Sequence, residues 1–159
     1  MFTIVNDIIY LHCSQGNGVY SMEKDFEFID HTADVGIIAY GAGISQAFSN
    51  AARALFSLIT ELDSIKEVLY RDIELTAPDK ESLLVEWLNE LIYLFDTENI
   101  IFRRFDVTVL NDGRLRARGY GEKVDSLRHR LKTGGKAATY HMLKVNKGNG
   151  YQVQVIIDI

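Results

Sequence analysis

One cysteine, Cys13, in 159 residues removes whole classes of protein at once. An intramolecular disulfide needs two, and a zinc or iron–sulfur centre built from several cysteines needs more, so neither is available and a reducing cytoplasm fits. Proline is as scarce: Pro78 stands alone, so no proline-rich linker separates domains. No apolar run approaches the roughly eighteen residues a membrane-spanning helix requires. Met1–Leu11 is moderately apolar, but Asp7 interrupts it, and without a basic start or a small-residue cleavage pattern it does not read as a signal peptide. Excess positive charge is also missing. The net charge of −5 argues against general coating of nucleic acid.

Hydrophobic side chains make up 47% and charged ones 25%, the balance of a folded chain. A chain of this length buries roughly two-thirds of its unfolded surface, which is enough for one cooperative core. Residues 1–21 differ in pattern from the rest of the chain and end in the turn-prone Gln15-Gly16-Asn17-Gly18. They read as an N-terminal extension, either disordered or the product of an over-early start codon, with the patterned domain at 22–159. Charge is unevenly spread. Arg114 to Lys136 carries +6, and everything else together carries −11.

Within the domain, Phe26–Ile29 and Val35–Tyr40 alternate as strands around a polar corner at Asp30–Asp34. A helix is predicted from Ser45, as cap, to Leu62, with Phe48, Ala52, Leu55, Ile59 and Leu62 on one face. Ile73, Leu75 and Ala77 alternate with acids and threonine toward Pro78. Asp79 then caps a second helix whose apolar face is Leu83, Leu84, Trp87, Leu88, Leu91, Ile92 and Phe95. Two hairpins complete the chain: 100–110 with 114–120, turning at Asn111-Asp112-Gly113, and 138–145 with 151–159, turning within 146–150. The predicted fold is a single compact α+β domain, a mixed, mostly antiparallel sheet with two main helices.

Asp30-His31-Thr32-Ala33-Asp34 gathers two carboxylates, an imidazole and a hydroxyl, which can offer hard ligands to a divalent cation. The alternative is a corner in which an aspartate caps a turn and His31 bonds the backbone. At the other end of the chain Asp158 is the penultimate residue, so its carboxylate, the Ile159 carbonyl and the terminal carboxylate concentrate oxygens at one strand end. If the two ends adjoin, the site is all-oxygen and suits calcium, magnesium or manganese rather than zinc; otherwise Asp158 is a solvated aspartate at a frayed terminus. Thr133-Gly134-Gly135-Lys136 lacks the earlier glycine and the following Ser or Thr of a phosphate loop. Arg114, Arg116 and Arg118 share one strand face, either solvated or turned to an acidic protein surface or an RNA backbone. His141 reads as a satisfied, half-buried side chain. No self-sufficient catalytic set is present.

Five colinear blocks resemble the archease family: Phe26–Gly36, Ala47–Ala52, Leu83–Leu91, Lys136–His141 and Val155–Ile159. The resemblance covers about residues 24–159. It implies a mixed sheet with two helices and a calcium-type site near the carboxyl end, held by the carboxylates of Asp34 and Asp158 and the main-chain oxygen of Ile159. It also implies a role as a protein cofactor in tRNA splicing and tRNA processing, activating an RtcB-type RNA ligase by promoting its guanylylation. The GTP site and the guanylylated residue belong to the ligase, so this chain is expected to have no catalytic and no nucleotide-binding residue of its own. Contact with tRNA through the Arg114 to Lys136 segment is a further expectation. Two other readings use the same residues: a metal-dependent hydrolase, in which the carboxylates activate water, and an RNA-binding chaperone working through the basic segment.

Overall fold

The computed structural model describes residues 24–31, 34–132 and 137–159, for His31 the main chain only, together with the main-chain pairing of 2–5, 8–12 and 19–22. Strands β1 (Phe2–Val5), β2 (Ile8–His12) and β3 (Val19–Met22) pair antiparallel into a sheet of their own. The side chains of 1–23, Cys13 among them, lie outside the described residues. Deleting residues 1–21 is expected to leave the melting temperature nearly unchanged, because the first strand of the domain begins only at Phe26. A large fall on thermal denaturation would assign the extension a structural role.

The domain strands are, in order, β4 (Phe26–His31), β5 (Asp34–Gly41), β6 (Leu69–Thr76), β7 (Ile100–Val109), β8 (Arg114–Lys123), β9 (Ala137–Gly148) and β10 (Gly150–Asp158). They form two sheets, ordered β4-β5-β10-β9 and β6-β8-β7, rather than the single mixed sheet predicted. Every pairing is antiparallel. The reason is that each sheet is built from hairpins and distant strands added edge to edge, and such additions need no parallel crossover.

Two helices fill the space between the sheets. Helix α1 (Ile44–Ile59) packs on β5 and β10 of one sheet and on β7 of the other, and α2 (Lys80–Glu98) packs on β9 and on the three-stranded sheet. That double contact explains why α1 buries Ala47, Phe48, Ala51, Ala52, Ala54, Leu55, Phe56 and Ile59 around most of its circumference. Trp87 of α2 is fully buried and donates its indole N–H to the Phe48 carbonyl at 3.0 Å, so the largest core side chain leaves no polar atom unsatisfied. Asp79 caps α2 as predicted, accepting the Ser82 N–H at 2.7 Å. Ser45 does not cap α1. The helix starts one residue earlier, after Gly43, and the Ser45 hydroxyl accepts the Val109 N–H at the end of β7 instead. Nor does α1 reach Leu62: Thr60 is extended, and Leu62–Ser64 forms a single 3-10 turn.

Both hairpin turns predicted from the sequence use a left-handed glycine, Gly113 at φ +80° and Gly150 at φ +100°. The β9–β10 turn is tighter than the predicted 146–150, since pairing continues to Gly148 and Gly150.

The stretch from Val124 to Lys132, after β8, has no regular structure, yet buried polar contacts pin it. Glu122, at the end of β8, receives both guanidinium NH groups of Arg128 at 2.8 and 2.7 Å and the Lys66 N–H at 2.9 Å. The buried His129 ring accepts the Asp125 N–H at Nδ1, 2.8 Å, which leaves the proton on Nε2 to be donated to Glu122 Oε1 at 2.7 Å. Further along, the Thr60 hydroxyl donates to the Arg130 carbonyl and the Lys132 N–H donates to the Ile59 carbonyl, tying the segment to the C-terminal end of α1.

Candidate metal centre

Alternation sorts the side chains of β5 and β10 onto two faces. Ile37, Ala39, Val153, Val155 and Ile157 enter the core beneath the helices, so Asp34, Gly36, Ile156 and Asp158 turn the other way. On that outer face Asp34 stands opposite Asp158 and Gly36 opposite Ile156. The outer strands extend the first of these rows, with the main chain of His31 opposite Asp34 and Ala137 opposite Asp158. A single row therefore crosses the end of the four-stranded sheet with two aspartates at its centre and Ile159 next in the chain.

Directly opposed residues in an antiparallel pair have Cα atoms about 4.5–5.5 Å apart and side chains on one side. Two carboxylates so placed can share one hard ion whose oxygen ligands lie about 2.4 Å away. Among the described residues neither carboxylate has a hydrogen-bond donor or a cation beside it, so none of those residues offsets their mutual repulsion. Nor do three His, Cys, Asp or Glu side chains converge among the described residues. What the row offers is two carboxylates and the main-chain oxygen of Ile159, with water left to complete the shell of a calcium-like ion. A second feature fits an ion with bound water. Thr139, two residues along β9 from Ala137 and diagonal to Asp158, buries its hydroxyl oxygen without a partner among the described residues.

Neighbouring contacts hold this end in place. Asn89 of α2 mimics a strand, accepting the Ala138 N–H at 2.7 Å and donating to the Ala138 carbonyl at 3.4 Å, which fixes the start of β9 against Asp158. Gly36 lets Ile29 and Ile156 close over the sheet beside the aspartates, where a Cβ would overlap Ile29.

The structure revises several other expectations. Asp34 opens β5 and His31 closes β4, so the polar corner shrinks to Thr32 and Ala33, which lie outside the described residues, as do Thr133–Lys136. His141 is exposed, not half-buried, because Tyr140–Leu143 bulge out of β9 with Met142 at φ +54°. Arg114, Arg116 and Arg118 do share a face, but each is paired with an acid: Asp112 at 2.7 Å, Glu74 at 3.5 Å and Asp72 at 2.7 Å. The row is charge-balanced, because β6 sets Glu74 and Asp72 directly opposite Arg116 and Arg118. The Glu122–Arg128–His129 cluster, in which Glu122 and His129 are buried, was not legible as a site, since its members read as ordinary members of a basic stretch.

The chain is thus an α+β domain with helices between two antiparallel sheets and an aspartate pair where the second and last strands of that domain meet. Residues 26–159 match the Archease protein family (MTH1598/TM1083). Protein archease of Methanosarcina mazei is 38% identical over 144 residues, covering 87% of this chain and 99% of that one. Protein archease of Saccharolobus islandicus is 43% identical over 138 residues, covering 86% and 99%. The solution structure of Methanobacterium thermoautotrophicum protein 1598 superposes with a TM-score of 0.75 at 37% identity, covering 85% of this chain and 99% of that one. The chain belongs to the archease family.

Proposed function

We propose that the protein is an accessory activator of an RtcB-type tRNA-splicing RNA ligase in the cytoplasm, promoting guanylylation and turnover of the ligase. Asp34, Asp158 and the Ile159 main-chain oxygen hold a divalent ion, calcium or another hard metal such as magnesium or manganese. The observation that carries this reading is the register that sets Asp34 opposite Asp158 at an exposed sheet end, with no countercharge among the described residues. Such an end can enter a partner's active site and present carboxylate oxygens to the metals or nucleotide bound there. The bound ion would supply charge neutralisation between the aspartates. The chain's own residues position it: Asn89 holds β9, and Ile29 and Ile156 pack over Gly36 beside it. The test is single-turnover guanylylation of the cognate ligase with GTP, with and without this protein. A faster rate is expected with the protein present, and equal rates would reject the reading.

A further inference from the structure

The pinned segment after β8 presents an apolar side chain to solvent. Leu127 is 98% exposed, and Leu131, four residues on, is 47% exposed. An exposed leucine on a slack loop carries no message, but this one sits between anchors: its own N–H donates to Asp125 Oδ1 at 3.0 Å, and Arg128 and His129 beside it are locked onto Glu122. Burying the Glu122 carboxylate to fix a loop is costly. A preordered apolar anchor is what such a cluster provides, because binding then loses little conformational freedom.

The segment is tethered by a short length of chain to the aspartate row. Helix α1 leaves the far end of β5 through Ala42 and Gly43 and packs back along it. Its first turns lie against that far end, Ala47 beside Gly41 and Asn50 bonded to the Tyr40 carbonyl, and its C-terminal end is the one that holds Arg130 and Lys132. From Lys132 the chain is five residues from Ala137, at most about 18 Å, and Ala137 faces Asp158. One partner can cover both.

Charge selects the kind of partner. Of the three cations here, Arg128 is paired with Glu122 and Lys132 with Glu61, leaving Arg130 exposed between the two leucines and, among the described residues, without an ion pair. An apolar pocket rimmed by carboxylates matches that pattern. RNA matches it poorly, since leucine offers no ring on which a base can stack.

We propose that Leu127, Arg130 and Leu131 are the docking surface by which this chain seats on the ligase, the leucines entering an acid-rimmed apolar pocket while the Asp34–Asp158 end meets the active site. This rests on the ligase-activating role proposed for the chain. The test measures binding of the cognate ligase to the immobilised protein at low and high salt, alongside guanylylation. Leu127→Ser is expected to weaken binding at least tenfold at both salt concentrations. Arg130→Glu should weaken it mainly at low salt, while Asp158→Asn should bind normally but fail to stimulate. Guanylylation by Leu127→Ser should recover when ligase is raised above the weakened Kd. Binding by Leu127→Ser equal to wild type would overturn the proposal while leaving the activating role intact. So would Arg130→Glu losing affinity for tRNA but not for ligase. If the wild type neither binds nor stimulates the ligase, both readings fall. Leu127 touches so little of the protein that its substitution leaves folding unchanged, which circular dichroism checks.

Discussion

Asp34→Asn and Asp158→Asn are each expected to abolish the rise in melting temperature that calcium gives the wild-type protein. An ion bound only by the folded state stabilises it by about 2.7 kcal/mol at a hundred times its dissociation constant, which for a domain of this size is about 5–10 °C. Each substitution removes one of the two carboxylates that β5 and β10 set opposite each other, and with it the negative charge that draws the ion. The sign reverses in chelator. Without an ion, two like charges directly opposed on one sheet face repel, so either variant should then melt at the wild-type temperature or slightly above it. Differential scanning fluorimetry with calcium and with EDTA reads both arms. An unchanged calcium shift in Asp158→Asn would remove that carboxylate from the site. Guanylylation should fall in the same two variants, and a loss of stimulation without loss of the calcium shift would separate the aspartates' action on the ligase from metal binding.

How far the site could be read in advance depends on which interactions are local. Helix α2 was legible from Asp79 onward because cap, periodicity and apolar face lie within one stretch of sequence, and the turns at Gly113 and Gly150 were legible for the same reason. Asp158 could be placed at a strand end, and Asp34 beside a strand. What sequence pattern could not supply is the register that joins them, since strands about 120 residues apart pair through the packing of everything between. The same gap hid the division into two sheets. It also hid the partners of Arg116 and Arg118, whose acids lie on β6, more than forty residues earlier. His141 was misread because alternation assumes an unbroken strand, and β9 sets Tyr140–Leu143 aside as a bulge. Glu122 gave no signal, because alternation puts it on the outer face with Arg116, Arg118 and Tyr120, and it is the later Arg128 and His129 that close over it.

That glutamate should be the most costly polar residue to change. Glu122 is buried, and its carboxyl is held down at about 2, chiefly by the hydrogen-bonded Arg128 guanidinium, with the Lys66 N–H and His129 adding to it against the opposing effect of burial. A group whose pKa is lower folded than unfolded stabilises the protein above the unfolded value, near 4.5, and loses that contribution as the pH falls toward 2. The shift corresponds to on the order of 3 kcal/mol, trimmed because the Arg128 side chain is 34% exposed and partly screened by solvent. Glu122→Gln is therefore expected to lower the melting temperature at pH 7 by about 5–10 °C and to flatten the decline in stability that the wild type shows between pH 5 and pH 2. Glutamine keeps the shape and one acceptor, so what is lost is the charge that Arg128 and the loop are organised around. Because that cluster also fixes Leu127, the variant should bind the ligase less tightly even at temperatures where it remains folded. A melting temperature and acid profile identical to wild type would show that the cluster only fills space, and the preordered leucine anchor would lose its physical basis with it.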